Sequence, residues 1–234
     1  MGKWGVSSKK HGHPPRRGFD YSYWNQDGNV FFPDIVNKYN TTIHRNNNPV
    51  EYPAYSTDAF GSEAVDFIER NKENPFFLFV SFIAPHVPME AKEEDLKRFA
   101  HVEDEKRRTM LAMMSCMDDN IGDILGTLRN EDLEKNTLIF FLSDNGGYSG
   151  NSSKNDPFRG TKSQMLEGGI RVPYLVQWKG VLPAGKVYEK PVMSLDILPT
   201  SLAAAGQAIK PEWELGGVNL LPYLMGEKTT APSK

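Results

Sequence analysis

The sequence predicts an α/β fold in which a mostly parallel sheet is covered by helices on both faces. Two short apolar runs, residues 76–82 and 137–143, are typical of strands that are buried on both faces. The clearest helical pattern of the chain lies between them, at about residues 105–130. Because strands and helices alternate, we expect parallel strands joined by helical crossovers.

The other predicted core elements each have a clear boundary signal or an apolar face. They are a helix at about 57–71 capped by Ser56 or Thr57, a short charged helix at about 90–99, a strand at 173–178 and a helix at 194–205. Residues 1–55 are aromatic but show no periodicity, and residues 207–234 are rich in glycine and proline. We therefore expect a loop-rich segment at 1–55, an α/β core at 56–206 and a loop-like tail at 207–234.

The predicted helix at 105–130 carries an apolar stripe at helical spacing. Its members are Met110, Met113, Met114, Met117, Ile121, Ile124, Leu125 and Leu128. Such a stripe is typical of core packing rather than of a cofactor surface. Cys116 lies within the same helix, so we expect it to be a buried structural thiol.

Composition excludes several classes of protein. The formal net charge is −3, which argues against a diffuse basic surface for nucleic acid. A single cysteine excludes an internal disulfide framework and a cysteine-based zinc site. No apolar run approaches the roughly 18 residues of a membrane helix, and no signal-peptide pattern is visible near Met1. Asn40 and Asn151 begin Asn-x-Ser/Thr sequons, for which chance is the preferred explanation.

The strand predicted at 137–143 is followed directly by Asp144, Asn145 and two glycines. Ligands of open α/β sheets collect beyond the carboxyl ends of strands, and two adjacent oxygen-bearing side chains there are typical of half a hard-cation site. The glycines would let the backbone approach closely. The alternative is an ordinary turn, because Asp, Asn and Gly are also turn residues.

Two more polar side chains flank predicted strands. His86 lies between Pro85 and Pro88 after the strand at 76–82, where the prolines would fix the direction of the imidazole. Lys162 lies in a glycine-rich, charged loop before the strand at 173–178 and would suit a tetrahedral oxyanion. A surface histidine and a solvated lysine are the alternatives.

Several of these stretches, in this order and spacing, resemble the sulfatase family of the alkaline-phosphatase superfamily. They are Gly2-Lys-Trp4, Arg17-Gly-Phe-Asp20, residues 75–80 with Ala84-Pro-His-Val-Pro88, Asp118-Asp-Asn-Ile-Gly122, Ser143-Asp-Asn-Gly146, Arg159-Gly-Thr-Lys162 and Glu167-Gly-Gly-Ile-Arg-Val-Pro173. Each stretch is weak alone, but together they are specific. The resemblance implies an alkaline-phosphatase-like fold that is incomplete at both ends of this chain.

The resemblance also implies a chemistry. One Ca²⁺ would be held in part by Asp144 and Asn145, while Lys3, His86 and Lys162 would contact the sulfate and its leaving oxygen. His86 would act as general acid toward the leaving alcohol. We expect His86, Asp144 and Lys162 to converge on one cleft, because cation and anion must share a pocket. An Asp-Asn pair, in place of the Asp-His pair of two-metal phosphatases, favours one metal and sulfate over phosphate.

Substrate choice is expected to involve the aromatic and basic segment at 9–55. Arg16 and Arg17 are candidates to bind further anionic groups, and aromatic faces suit sugar or aryl rings. The alternative is that these aromatic side chains only pack a loop-rich flank. The implied partner is a sulfated small molecule or glycan, and the implied location is periplasmic, secreted or lysosomal.

The sequence departs from the family pattern in three ways. The family makes its formylglycine nucleophile in a Cys/Ser-x-Pro/Ala-x-Arg motif, and no such motif is present. The acidic pair that completes calcium binding is also missing, so Ca²⁺ binding should be weak unless Asp156 or Glu167 contributes. Gly5 stands where the family has a histidine, for which His11 and His13 are candidate replacements.

We therefore interpret the chain as resembling the middle of a sulfatase, a sulfuric-ester hydrolase for aryl or carbohydrate sulfates. Two alternatives stay open. One is a phosphomonoester or phosphonate hydrolase of the same superfamily. The other is a non-catalytic module that binds sulfated glycans and needs neither metal nor nucleophile.

Overall fold

The computed structural model describes residues 1–6, 12–26, 28–33, 42–52 and 54–232. The strands are β1 (Gly2–Trp4), β2 (Tyr23–Gln26), β3 (Ile43–Arg45), β4 (Asn48–Val50), β5 (Ile139–Leu142) and β6 (Tyr174–Gln177). The α-helices are α1 (Ser56–Asn71), α2 (Glu93–Arg98), α3 (Glu105–Asn130), α4 (Glu167–Ile170), α5 (Ile197–Ala204) and α6 (Leu221–Leu224). Short 3-10 helices lie at Pro14–Arg16, Glu134–Asn136, Ser149–Asn151, Ser194–Asp196 and Pro211–Trp213.

The chain divides into two compact units. Unit 1 comprises Met1–Glu131 and Gly146–Ile170, and unit 2 comprises Asp132–Asn145 and Arg171–Lys234. The division predicted at residues 55 and 206 differs from these bounds and stays a prediction about domain organisation.

Unit 1 contains a mixed sheet in the order β1-β2-β3-β4. β1 and β2 are parallel, with Gly2 opposite Trp24, whereas β2–β3 and β3–β4 are antiparallel. Loops were expected throughout residues 1–55, and for this sheet that expectation was wrong. Its strands are only three or four residues long, too short for an alternating pattern to be recognised in the sequence.

Within the part of the chain that the structure describes, the strand expected at 76–82 forms a single β-bridge, at Ser81. Ser81 bridges Gly2 in parallel: its N–H donates to Met1 O over 2.8 Å, and its carbonyl accepts from Lys3 N over 2.8 Å. Phe77 is 64% exposed and Phe79 47% exposed, so burial on both faces was also wrong for this segment. An apolar run alone does not say whether another element covers it.

The core of unit 1 lies where α1 packs against α3 and the sheet. Trp24, Phe31, Phe60 and Met113 are fully buried. The predicted caps of α1 were wrong: Tyr55 is the N-cap, and the Ser56 hydroxyl instead donates to Val30 O over 3.1 Å.

α3 matches its predicted bounds. Asp104, the residue just before it, is the N-cap, and its side chain accepts a hydrogen bond from Arg107 N over 2.7 Å. Most of its apolar stripe is buried or half-buried. Met114 is the exception, at 40% exposed. The stripe is therefore a core surface, as predicted, with one side chain outside it.

Unit 2 contains the antiparallel pair β5–β6, in which Phe140 lies opposite Val176. Phe141 and Leu175 are 41% and 57% exposed, so this strand pair is not covered on both faces either. The helix predicted at 194–205 is a 3-10 turn followed by α5, with Pro199 at the third position of α5, where a missing N–H costs no helical bond.

The tail expected to be loop-like includes α6, whose first residue Leu221 is buried together with Leu220. Among the described residues, no helix is long and apolar enough to span a bilayer.

Candidate active site

The loop that carries Lys162 is built around the backbone of Gly147. Gly147 O accepts hydrogen bonds from Lys162 N over 3.1 Å, from Thr161 Oγ1 over 2.6 Å and from Asn155 Nδ2 over 3.0 Å. Gly147 N donates to Asn155 Oδ1 over 2.8 Å. The Lys162 backbone is thereby attached to the glycine pair that follows Asp144 and Asn145 in the sequence.

Glycines are required where this loop folds onto itself. A Cβ on Gly146 would lie 1.9 Å from Gly168 O, and one on Gly169 would lie 2.1 Å from Gln164 O. These contacts involve backbone atoms that cannot move aside independently. The expectation that glycines here allow close backbone approach is therefore confirmed.

His86 lies in a turn whose hydrogen bonds indicate which nitrogen of its imidazole carries a proton. His86 N donates to Ile83 O over 2.9 Å, and its Nδ1 lies 2.7 Å from Val87 O. A carbonyl oxygen can only accept, so Nδ1 carries a proton and Nε2 is the nitrogen that gains or loses one. The ring is half-buried. Its contact with Val87 O gives the ring one defined partner, and the expectation that the two prolines fix its direction stays a prediction.

Asn151 ties the Lys162 loop to the His86 turn. Its Nδ2 donates to Pro85 O over 3.0 Å, and its Oδ1 accepts from Ser153 Oγ over 2.6 Å. The side chain is buried, at 5% exposed, with both ends of its amide bonded. Glycan attachment at this sequon is therefore incompatible with the folded state, and Asn151 is a structural residue that the sequence did not identify.

Lys3 belongs to the same unit as His86 and Lys162. Its backbone N donates to Ser81 O over 2.8 Å, which places β1 beside the segment that leads to the His86 turn. Lys3 is half-buried, and its Nζ donates to Asn29 Oδ1 over 2.8 Å. The ammonium group therefore already has one hydrogen-bond partner. Three of the predicted anion-binding residues therefore lie in unit 1.

Arg16 and Arg17 end the 3-10 helix Pro14–Arg16 and are exposed. Neither forms an ion pair with any residue of the described ranges. Close by in sequence, Trp4 and Phe19 meet edge to face at 5.8 Å between ring centroids and line a crevice that also includes Lys3. The proposal that Arg16 and Arg17 bind substrate stays a prediction.

The histidine candidates for the position of Gly5 have different outcomes. His11 lies outside the described residues. His13 packs against Trp24 with its ring tilted by 59° and 4.8 Å between ring centroids, and its buried Nε2 has no hydrogen-bond partner among the described residues. A ring packed in this way contributes to the core of unit 1, and nothing in its contacts assigns it a catalytic role.

Asp144 and Asn145 follow the end of β5 in unit 2. Next to them, Ser143 N donates to Pro173 O over 3.4 Å, and Ser143 Oγ donates to Asn145 O over 2.8 Å. Asp144 is exposed and Asn145 half-buried. Because they belong to a different unit from His86 and Lys162, their convergence on one cleft stays a prediction.

The described residues do not fit a complete calcium site. Calcium takes about 6–8 oxygen ligands, and Asp144 and Asn145 offer at most three side-chain oxygens, two from the carboxylate and one from the amide. Within the described ranges no group of three or more His, Cys, Asp or Glu side chains is gathered to hold a metal. Asp156 and Glu167 lie in a different unit from Asp144, so a contribution from either stays a prediction.

Cys116 is buried at 1% exposure between α1 and α3, with its Sγ 3.1 Å from Asp58 Oδ1. Burial raises the pKa of this thiol, and the hydrogen bond to Asp58 raises it further. Lys92 Nζ lies 2.9 Å from Asp58 Oδ2, which anchors the segment after the His86 turn to α1. Cys116 is therefore a structural thiol, as predicted.

Comparison with known proteins shows which family the chain belongs to. The family model described as Sulfatase matches residues 1–207. The uncharacterised sulfatase YdeN of Escherichia coli strain K12 is 32% identical over 227 residues, covering 94% of this chain and 39% of YdeN. Human N-acetylgalactosamine-6-sulfatase is 33% identical over 244 residues, covering 96% of this chain and 45% of the human protein. This chain thus spans less than half the length of both relatives.

The solved structure of Ps i-CgsB in complex with k-i-k-neocarrahexaose matches with a TM-score of 0.92 and 34% identity, over 97% of this chain and 55% of that one. The alkaline-phosphatase-like α/β fold predicted from the sequence is thereby confirmed. The chain belongs to the sulfatase family.

Proposed function

We propose that this chain forms part of a sulfuric-ester hydrolase that acts on carbohydrate sulfates. The observation that carries the proposal is the hydrogen bond from Asn151 to Pro85 O, over 3.0 Å. It joins the loop of Lys162 to the turn of His86, so a basic side chain and a titratable imidazole share one hydrogen-bonded framework. Together with membership of the family, this favours recognition of an anionic ester.

Each residue has a defined chemical task. The ammonium groups of Lys162 and Lys3 stabilise negative charge on the nonbridging oxygens of the ester. The Nδ1–H of His86 donates a hydrogen bond to Val87 O. A proton bound at Nε2 is therefore the one that His86 can give to the leaving alcohol oxygen.

Carbohydrate is favoured as the esterified alcohol for two reasons. Human N-acetylgalactosamine-6-sulfatase and the Ps i-CgsB complex both carry carbohydrates in their names. In addition, Trp4 and Phe19 form an aromatic wall beside Lys3, and aromatic faces suit the apolar faces of sugar rings. Arg16 and Arg17 would meet further anionic groups of a larger substrate.

The test is the affinity of this chain for N-acetylgalactosamine 6-sulfate, measured by calorimetry against the 6-phosphate and the unmodified sugar. We expect the sulfate ester to bind at least about tenfold more tightly than the neutral sugar, equivalent to about 1.4 kcal/mol. Lys162→Ala should remove most of that preference, whereas Lys154→Ala, which removes an exposed charge from the same loop, should not. Equal losses in the two variants would refute a site at Lys162, and preference for phosphate would favour a phosphomonoesterase.

Catalysis requires a separate test because the sequence has no Cys/Ser-x-Pro/Ala-x-Arg motif. We expect no sustained hydrolysis of an aryl sulfate by residues 1–234 with added calcium, since loss of a nucleophile leaves only residual charge stabilisation. Multiple turnovers would show that another nucleophile lies within these residues.

A non-catalytic glycan-binding module is the second candidate, favoured by the same missing motif and by the incomplete metal site. The coding sequence that flanks these 234 codons separates the two candidates. A nucleophile motif there would favour the hydrolase, and its absence would favour the binding module.

A further inference from the structure

We infer that Asn155 is the positioning residue for Lys162, an inference that rests on the function proposed above. Asn155 uses both ends of its side-chain amide on one residue. Its Oδ1 accepts from Gly147 N over 2.8 Å, and its Nδ2 donates to Gly147 O over 3.0 Å. The same Nδ2 donates to Gly160 O over 3.2 Å. Asparagine alone combines an acceptor and two donors on so short a side chain.

These bonds hold the backbone just before Lys162 and the residue to which the Lys162 N–H donates. Gly160 lies two residues before Lys162 and is bonded to Asn155 directly. Lys162 N donates to Gly147 O over 3.1 Å, and Gly147 is itself bonded to Asn155 through its N–H and its carbonyl. Removing the Asn155 amide would therefore release the start of the lysine-bearing turn and the residue onto which that turn folds.

The surrounding glycines match this arrangement. A Cβ on Gly147 would lie 2.8 Å from Asn155 Oδ1, and a Cβ on Gly168 would lie 2.3 Å from Gly160 O. Both positions therefore need a glycine for the backbone to approach the amide and its neighbours this closely. Asn155 and the glycines form one compact backbone cluster.

Lys162 depends on this backbone support because its side chain has little other support. It is half-buried, and within the described ranges it forms no ion pair that would fix its ammonium. The placement of the ammonium toward a sulfate ester is then set by the conformation of residues 160–162. Asn155 touches neither ester nor reacting atoms in this account, and it acts through Lys162.

The test combines hydrogen exchange with a double-mutant cycle on the whole chain. In Asn155→Ala we expect the amide of Lys162 to exchange at least about tenfold faster, as loss of hydrogen bonds worth about 1.4 kcal/mol would produce. The amide of Met113 in α3 should be unchanged. Asn74→Ala, an exposed asparagine outside the loop, is the matched control and should leave both rates unchanged.

The affinity arm uses N-acetylgalactosamine 6-sulfate as the probe. Asn155→Ala should weaken binding about fivefold in the natural chain but cause no further loss in a Lys162→Ala background, because its effect runs through that lysine. An additive loss, or unchanged exchange at Lys162, would overturn the inference.

The exchange arm also separates this inference from the proposed function. If the natural chain fails to bind the sulfate ester, the proposed function is refuted, while exchange at Lys162 still decides whether Asn155 positions it. If Asn155→Ala does not fold, Asn155→Asp replaces it, because the aspartate keeps the acceptor for Gly147 N and loses both donated bonds. Failure of both variants to fold would assign Asn155 a general structural role and overturn the inference.

Discussion

The two units differ in the size and polarity of the side chains that they bury. Unit 1 buries large apolar side chains completely, among them Trp24, Phe31 and Phe60. In unit 2 the large side chains below 2% exposure are Leu220 and Thr200, and Phe141 and Leu175 of its strand pair are exposed. Burial of apolar area is the dominant favourable contribution to folding, so unit 1 should be the more stable of the two.

Unit 2 relies instead on hydrogen bonds to one buried carboxylate. Asp196 accepts from Met193 N over 2.8 Å and from Val218 N over 2.9 Å. Thr200 Oγ1 donates to Asp196 O over 2.6 Å and accepts from Leu220 N over 2.9 Å. The anion-binding candidates Lys3, His86 and Lys162 therefore belong to the unit that has the larger buried apolar core. Asp144 and Asn145 belong to the unit in which fewer large apolar side chains are buried.

The largest expected effect is on the free energy of unfolding, when the same Phe→Ala substitution is made in each of the two units. Phe60→Ala should lower the free energy of unfolding of unit 1 by about 3–5 kcal/mol, because a fully buried ring leaves a cavity. Phe141→Ala in unit 2 should cost about 1 kcal/mol or less, since that ring is 41% exposed. Urea denaturation followed by hydrogen exchange in each unit makes the measurement. Equal costs would contradict the comparison.

The next effect tests the polar network of unit 2. Asp196→Ala should destabilise unit 2 by about 2–3 kcal/mol, because two backbone N–H groups lose an ionised acceptor. Exchange protection in α5 and at Val218 reports the loss. Asp144→Ala removes an exposed carboxylate from the same unit and should change stability by less than about 0.5 kcal/mol. A small effect of Asp196→Ala would mean that apolar packing holds unit 2 after all.

A buried charge in unit 1 gives a pH-dependent effect. Glu63 accepts from Tyr21 OH over 2.5 Å, Arg45 over 2.5 Å and Arg70 over 3.0 Å. Burial alone would raise the pKa of Glu63, but these hydrogen bonds outweigh it and hold the pKa below its ordinary value of 4.5. The stabilisation is therefore full above pH 4.5 and is lost as the pH falls through the lower pKa of the folded state.

Glu63→Gln should accordingly cost about 2 kcal/mol at pH 7, a reduced figure because both arginines are half exposed. The difference from the natural chain should shrink as the pH is lowered below 4.5. Denaturation curves at several pH values provide the check, with Glu69→Gln on the exposed side of α1 as the control. A difference that stays constant down to pH 2 would show that the charge of Glu63 does not matter.

The smallest effect concerns reactivity. Cys116 should resist alkylation in the folded chain, because burial and the Asp58 hydrogen bond raise the pKa of the thiol and disfavour the thiolate. Labelling should therefore follow the global unfolding of unit 1 and accelerate in Phe60→Ala. Rapid labelling of the natural chain under native conditions would contradict a dense core in unit 1.

The two long helices, α1 and α3, could be predicted from the sequence because their signal is local, whereas the four-residue helices α4 and α6 could not. Spacing of apolar side chains identified α1 and α3 within one or two residues. Strand burial could not be predicted in the same way. The runs at 76–82 and 137–143 are apolar, but their exposure depends on which other elements lie beside them, and Phe77 and Phe141 face solvent.

Only those residues of the candidate site that are charged or titratable, or that match the family pattern, could be predicted from the sequence. Lys162 and His86 were recognisable, since a lysine among glycines and a histidine between prolines are unusual. Asn155 and Asn151 were missed because an amide that bonds to backbone groups leaves no periodic or charge signal, although a polar amide within a glycine-rich loop is a usable hint.

The most direct test of the account is chemical-shift mapping of residues 1–234 with N-acetylgalactosamine 6-sulfate. If Lys162 and His86 share one anion-binding framework, the amides of residues 160–162 and of His86 and Val87 should shift together with a single dissociation constant. Those of β5 and β6 should move little in the absence of calcium. Shifts confined to unit 2, or different dissociation constants for the two segments of unit 1, would contradict the proposed site.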